Sequence, residues 1–98
     1  MNNLFKFDNT EILVINYENV TFFQAKQVAT ALNYSKTKES IRSNVRDKNK
    51  RHFTYDEIRD SLGGQWSSPL KINPDGAIFI TESGIYDLIW GSNKPEMT

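Results

Sequence analysis

Apolar and polar positions change their spacing three times along the chain, and each change marks a new kind of element. Leu4-Phe5-Lys6-Phe7 is a short apolar run, Asp8-Asn9-Thr10 is a turn cluster, and Glu11-Ile12-Leu13-Val14-Ile15 is rich in β-branched residues. Asn16-Tyr17-Glu18-Asn19 turns the chain again before Val20-Thr21-Phe22. This pattern predicts a three-stranded antiparallel meander with one face packed on helices. From Gln24 to Leu32 the spacing becomes helical: Ala25, Val28, Ala29 and Leu32 fall at i, i+3, i+4 and i+7. Asn33 tolerates the left-handed conformation that ends a helix, and Ser35 or Thr37 can cap the next one. That second helix is predicted over 37–46. Its buried edge is thin, namely Ile41 and Val45 with Tyr34 from the junction. Lys38, Arg42 and Arg46 form a stripe beside it, and Ser40, Ser43 and Asp47 point outward.

The second half carries clearer punctuation. Arg46-Asp47-Lys48-Asn49-Lys50-Arg51 reads as a charged loop. Thr54-Tyr55-Asp56-Glu57 matches a capping box, followed by the apolar positions Tyr55, Ile58 and Leu62 and a stop at Gly63-Gly64. Trp66 lies in a loop, either as a lid on the core or as a contact residue. Leu70-Lys71-Ile72 and Ala77-Ile78-Phe79-Ile80 are expected to pair as a hairpin about the Asn73-Pro74-Asp75-Gly76 turn. Thr81 caps a last helix with Glu82 in its first turn. Its core stripe is Ile85, Leu88 and Ile89, Tyr86 and Trp90 lie alongside, Gly84 marks close packing, and Gly91 ends it. The fold class is α+β: a small antiparallel sheet packed on a helix-turn-helix-like helix pair plus one or two further short helices, in a single domain over residues 1–98.

Composition narrows the function. The chain of 98 residues has no cysteine and one histidine, His52. Disulfides, thiolate nucleophiles and thiolate metal sites are therefore excluded, and any nucleophile–histidine pair would rest on His52 alone. Asp56 and Glu57 are adjacent and face apart on a helix. No metal-ligand spacing and no phosphate-cradling glycine loop is present, so the expectation is a protein that is not an enzyme and uses no cofactor or metal. No apolar run reaches membrane-span length and no signal-peptide pattern opens the chain, which predicts an intracellular protein with no membrane partner.

The formal net charge of zero hides an asymmetry. Lys26 to Arg51 contains eight basic and two acidic residues, a local +6, which leaves −6 on the remainder. The asymmetry points to a local basic patch rather than to general polyanion affinity; the bland alternative is a solvated helix face and loop.

Three blocks stand out: Phe22-Phe23 with Lys26-Gln27-Val28-Ala29-Thr30-Ala31-Leu32-Asn33-Tyr34-Ser35, then Ile41-Arg42-Ser43-Asn44-Val45, then Ile80-Thr81-Glu82-Ser83-Gly84-Ile85-Tyr86-Asp87-Leu88-Ile89 with Ser92-Asn93-Lys94-Pro95-Glu96. Together they resemble the Bro-N domain, the N-terminal module of Bro proteins of baculoviruses, insect poxviruses and other large DNA viruses, and of phage antirepressors. Order and spacing agree from about Phe5 to Glu96. Asn33 stands where the family has Gly, Asn44 where it has His, and Gln27 where an acidic residue is common. The family continues past Lys-Pro-Glu into a further helix, so this domain is expected to lack that helix or a fused C-terminal region. The resemblance implies nucleic-acid binding in a viral or phage regulatory protein, with roles in transcription, host chromatin or antirepression. It places the protein in the host nucleus or cytoplasm, or in the bacterial cytoplasm for a phage.

Two functions follow as expectations. In the first, the helix 37–46 and the loop after it bind double- or single-stranded DNA through Lys36, Lys38, Ser40, Arg42, Ser43, Asn44, Arg46, Lys48, Lys50 and Arg51. In the second, an antirepressor-like module binds a repressor or host protein through Trp66 or Trp90.

Overall fold

The computed structural model describes residues 4–7, 9–61 and 73–92. Five strands form one antiparallel sheet: β1 (Leu4–Phe7), β2 (Thr10–Tyr17), β3 (Val20–Gln24), β4 (Lys50–Phe53) and β5 (Ala77–Ile80), in the order β1-β2-β3-β5-β4. The helices are α1 (Ala25–Ala31), α2 (Thr37–Asn44), α3 (Tyr55–Ser61) and α4 (Glu82–Ser92), with a 3-10 turn over Asp47–Asn49. This is the expected α+β fold.

The predicted meander is present, and its turns are set by local chemistry. Asn9, Glu18 and Asn19 all have positive φ, at 68°, 52° and 66°, where Asn is better tolerated than most side chains. The pairing Val14↔Phe23 and Ile15↔Phe22 then divides the side chains between two faces. On one face Ile12 joins Ala25, Val28, Ala29, Ala31, Ile41, Val45, Ile80 and Leu88 under α1, α2 and α4. On the other, Leu13, Ile15, Phe22, Phe53 and Phe79 pack with Ile58 of α3. Phe53 is the hub of this second core, edge-to-face with Tyr17, Phe22 and Phe79 at 5.3, 5.0 and 5.4 Å between ring centres.

Several expectations need correction. The charged run 46–51 is not a loop throughout: Asp47–Asn49 is a 3-10 turn, and Lys50 and Arg51 open β4. β4 pairs with β5 along its whole length, from Lys50↔Ile80 to Phe53↔Ala77, while β3 takes the other edge at Phe23↔Ile80 and Gln24↔Phe79. Residues 70–72, the expected hairpin partner, lie outside the described residues, as do Leu62, Gly63, Gly64 and Trp66. The Asn73–Gly76 turn itself closes with a Gly76 N–H to Asn73 carbonyl bond of 2.9 Å. Gly91 does not end α4, which continues to Ser92. A Cβ at Gly91 would stand 2.6 Å from the Asn44 side chain and 2.9 Å from the Tyr34 hydroxyl, so glycine there permits close approach of α2.

The capping box is formed as expected. The Thr54 amide donates to Glu57 at 2.9 Å and the Glu57 amide donates to Thr54 Oγ1 at 3.1 Å. Tyr55, placed by its spacing on the apolar face of α3, is instead exposed, so among the described residues Ile58 alone anchors that helix in the core. Thr81 caps α4 by accepting from the Gly84 amide at 3.3 Å. No helix among the described residues is long and apolar enough to cross a membrane.

Candidate nucleic-acid interface

α1 is closed off by Asn33, two residues past its end, whose φ of 70° lets the Tyr34 amide reach back to Ala29 and the Asn33 amide to Thr30, both at 3.0 Å. This double closure is the Schellman arrangement, with Asn taking the left-handed position usual for Gly. The chain then turns into α2 without a side-chain cap: the capping position is Lys36, so neither Ser35 nor Thr37 serves. What fixes the turn instead is Tyr34. Its hydroxyl donates to the Leu88 carbonyl of α4 at 2.8 Å, and burial pushes the phenol's pKa up. The helix pair is thus tied to α4 at its junction.

α2 divides cleanly by burial. Ser40 and Ile41 are buried, as is Val45 just beyond the helix. Lys38, Glu39, Arg42 and Ser43 are exposed on the opposite side. Ser40 was expected to point outward; it is buried, with its hydroxyl donating to the Thr37 carbonyl at 2.8 Å, and it does not reach the surface. Asn44 is half-buried against α4 at Gly91. Lys36, Lys38 and Arg42 form no ion pair among the described residues.

Beyond α2 the four-residue stripe breaks. Val45 is extended, with φ −92° and ψ 124°, so Arg46 leaves the helix instead of continuing it. Arg46 is instead held from α4. Asp87 Oδ2 accepts from the Arg46 amide at 3.1 Å and from Asn49 Nδ2 at 2.9 Å, and Asp87 Oδ1 lies 3.9 Å from Arg46 Nε. Burial pushes the Asp87 carboxyl up, but the bonds from Asn49 and the Arg46 amide, with the charges of Arg46 and Lys48, outweigh it and leave its pKa lowered. Lys48 is exposed on this turn.

The last two expected residues separate, because alternate strand residues point to opposite faces. Lys50 is mostly covered and sits 3.6 Å from Asp47. Arg51 lies on the α3 face, stacked over Tyr17 at 4.3 Å and Phe53 at 4.7 Å, and 3.4 Å from Glu57. The hydrogen bond to the Tyr17 hydroxyl is the main reason its pKa is raised, so it is a structural cation of the second core. Of the ten expected residues, Lys36, Lys38, Arg42, Ser43, Arg46 and Lys48 are exposed, Asn44, Lys50 and Arg51 are half-buried, and Ser40 is buried.

A family model described as the BRO family, N-terminal domain, matches residues 11–97. The chain belongs to the BRO family as a Bro-N domain. A Bro-N domain-containing protein, 019R, of Invertebrate iridescent virus 3 is 32% identical over 83 residues, covering 76% of this chain and 20% of the relative. The chain therefore spans about a fifth of that relative's length. No solved structure matches it.

The Bro-N motif residues now have physical roles. The Asn33-Tyr34 pair closes α1 and docks on α4, Ile41 and Val45 anchor α2, and Gly84 lies under the Asn49 turn. Sequence reasoning missed Asp87 and Asn49, the pair that anchors the turn after α2. The one available signal was Asn49, the single uncharged residue between Arg46 and Arg51.

Proposed function

We propose that this Bro-N domain binds DNA through the exposed side of α2 and the turn that follows it. The observation that carries the reading is the division of α2: Ile41 and Val45 hold it to the core, while Lys38, Arg42 and Ser43 stand exposed and the two cations have no ion-pair partner among the described residues. Cations left unpaired on a helix after a tight turn suit phosphate neutralisation and groove contact. Arg46 and Lys48 extend the basic surface beyond the helix. In this reading the chain is the DNA-contacting module of a viral or phage regulatory protein, and it performs no catalysis. A titration of labelled duplex and single-stranded DNA at low and raised salt tests it. Binding that weakens steeply with salt is expected; no binding to either form at low salt would refute it.

A second reading, a protein-interaction module acting on a repressor or host protein, is favoured by one observation. Trp90 is 77% exposed and Tyr86 61% exposed, one turn apart on α4. Exposed large aromatics are characteristic anchors of protein interfaces. Trp90→Ala separates the two readings: loss of a protein partner with DNA binding intact supports the second. Trp66, the other proposed anchor, lies outside the described residues.

A further inference from the structure

Among the exposed cations of α2 and the turn after it, Arg46 alone has a carboxylate partner among the described residues. The Asp87 carboxylate is itself fixed. Its Oδ2 takes two donors, the Arg46 amide at 3.1 Å and Asn49 Nδ2 at 2.9 Å. Asn49 is buried, and its carbonyl accepts from the Thr81 amide at 2.9 Å, which joins the turn to the start of α4. The remaining oxygen, Oδ1, faces Arg46 Nε at 3.9 Å, within ion-pair range. The Asp87 side chain is 16% exposed and that of Arg46 71% exposed, so one end of the pair is anchored and the other projects.

The atom engaged matters. Through the Arg46 amide, Asp87 fixes the main chain from which the side chain projects, and its Oδ1 attracts the Nε side of the guanidinium without a hydrogen bond; no bond holds the two terminal nitrogens among the described residues. The guanidinium is planar by its own bonding, and two of its parallel N–H donors match the O6 and N7 acceptors of a guanine edge in the major groove. A phosphate clamp needs no such buttress. A carboxylate next to it even subtracts from the attraction to phosphate, because it adds a negative charge to the contact surface. An acid at this position therefore favours direction over raw affinity.

We propose that Asp87 is a positioning residue that orients Arg46 to read a guanine in double-stranded DNA. This rests on the DNA-binding reading above and deepens it by naming the residue that reads sequence and the base it reads. Lys38 and Arg42, with no such partner, supply phosphate contacts.

The test is enrichment from a pool of randomised duplexes, run on the unaltered chain and on Arg46→Lys, Arg46→Ala and Asp87→Asn. Thermal melts of each protein run alongside. Arg46 is exposed, so its two variants are expected to fold whatever happens to Asp87→Asn. The unaltered chain is expected to enrich a guanine at one position by about thirtyfold, the middle of the range for a good bidentate pair. Arg46→Lys, which keeps the charge and loses the fork, is expected to lose that preference with little change in overall affinity. Asp87→Asn is expected to lose it while binding arbitrary duplex as tightly or more tightly, since one repulsive charge is gone.

Other outcomes overturn the inference. Binding without a guanine position that depends on Arg46, or a uniform loss across all sequences in Arg46→Ala, makes Arg46 a phosphate contact and leaves the DNA reading standing. A lowered melt for Asp87→Asn with the guanine preference intact makes Asp87 merely structural. No enrichment of any duplex, with no binding at low salt, overturns both.

Discussion

Gly84 of α4 lies against the backbone carbonyl of Asn49: a Cβ there would stand 3.0 Å from that oxygen and 2.8 Å from Ile80 Cβ. Both neighbours are fixed, one by the main chain and one at the root of a buried side chain, so neither can swing away. Gly84→Ala is expected to destabilise the domain by about 1–3 kcal/mol through overpacking, despite a helix-propensity gain of about 1 kcal/mol. At Gly91 the closest crowding atoms belong to the end of the half-buried Asn44 side chain, which can shift, and only the tied Tyr34 hydroxyl at 2.9 Å resists. Gly91→Ala is therefore expected to cost less than Gly84→Ala in a denaturant melt of the two variants.

The capping box of α3 gives a local test. Thr54 and Glu57 satisfy each other's backbone amides, and a helix of seven residues has few other sources of stability. Thr54→Ala is expected to lower stability by about 1 kcal/mol. Because Glu57 also faces Arg51 at 3.4 Å, Glu57→Ala should cost more than Thr54→Ala, and the double variant should cost less than the two single losses together.

Asp87 predicts a pH dependence with a definite sign. Its pKa is lowered in the folded state by Asn49, the Arg46 amide, and the charges of Arg46 and Lys48. The unfolded chain therefore binds the proton more readily, and stability rises with pH through this window. The contribution is complete above the ordinary carboxylate range, and it is lost as pH falls through the lowered folded value. Asp87→Asn should be less stable than the unaltered chain at neutral pH, with the gap closing in acid. A gap that stayed constant down to strongly acidic pH would contradict this account.

The parts of the fold written in short-range chemistry were legible. Asn9, Asn19 and Asn33 mark turns because Asn tolerates positive φ, and Thr54 with Glu57 declares a helix start within four residues. β4 was not legible, because Lys50-Arg51-His52 looks like a solvated run. Its strand identity comes from a ladder with β5, about 27 residues away, together with the complete burial of Phe53. Arg51 shows why charge alone misassigns a site: its guanidinium is taken up by Tyr17, Phe53 and Glu57, from three separate elements. Ser40 was misplaced by a helical wheel that counted it polar, although its hydroxyl satisfies itself on Thr37 and leaves the side chain free to be buried. Asp87 could not have been paired with Arg46 from spacing, since 41 residues separate them.

The exposed side of α2 carries the central claim, and the salt dependence of DNA binding tests it most directly. Duplex affinity should be measured across a range of salt for the unaltered chain, for Lys38→Ala with Arg42→Ala, and for Arg59→Ala on α3 as a control away from the basic surface. The account predicts a steep negative slope of log affinity against log salt. That slope should be shallower by about 2 in the double variant, one for each phosphate contact removed, and unchanged in the control. A double variant that binds with the same affinity and slope as the unaltered chain would contradict it.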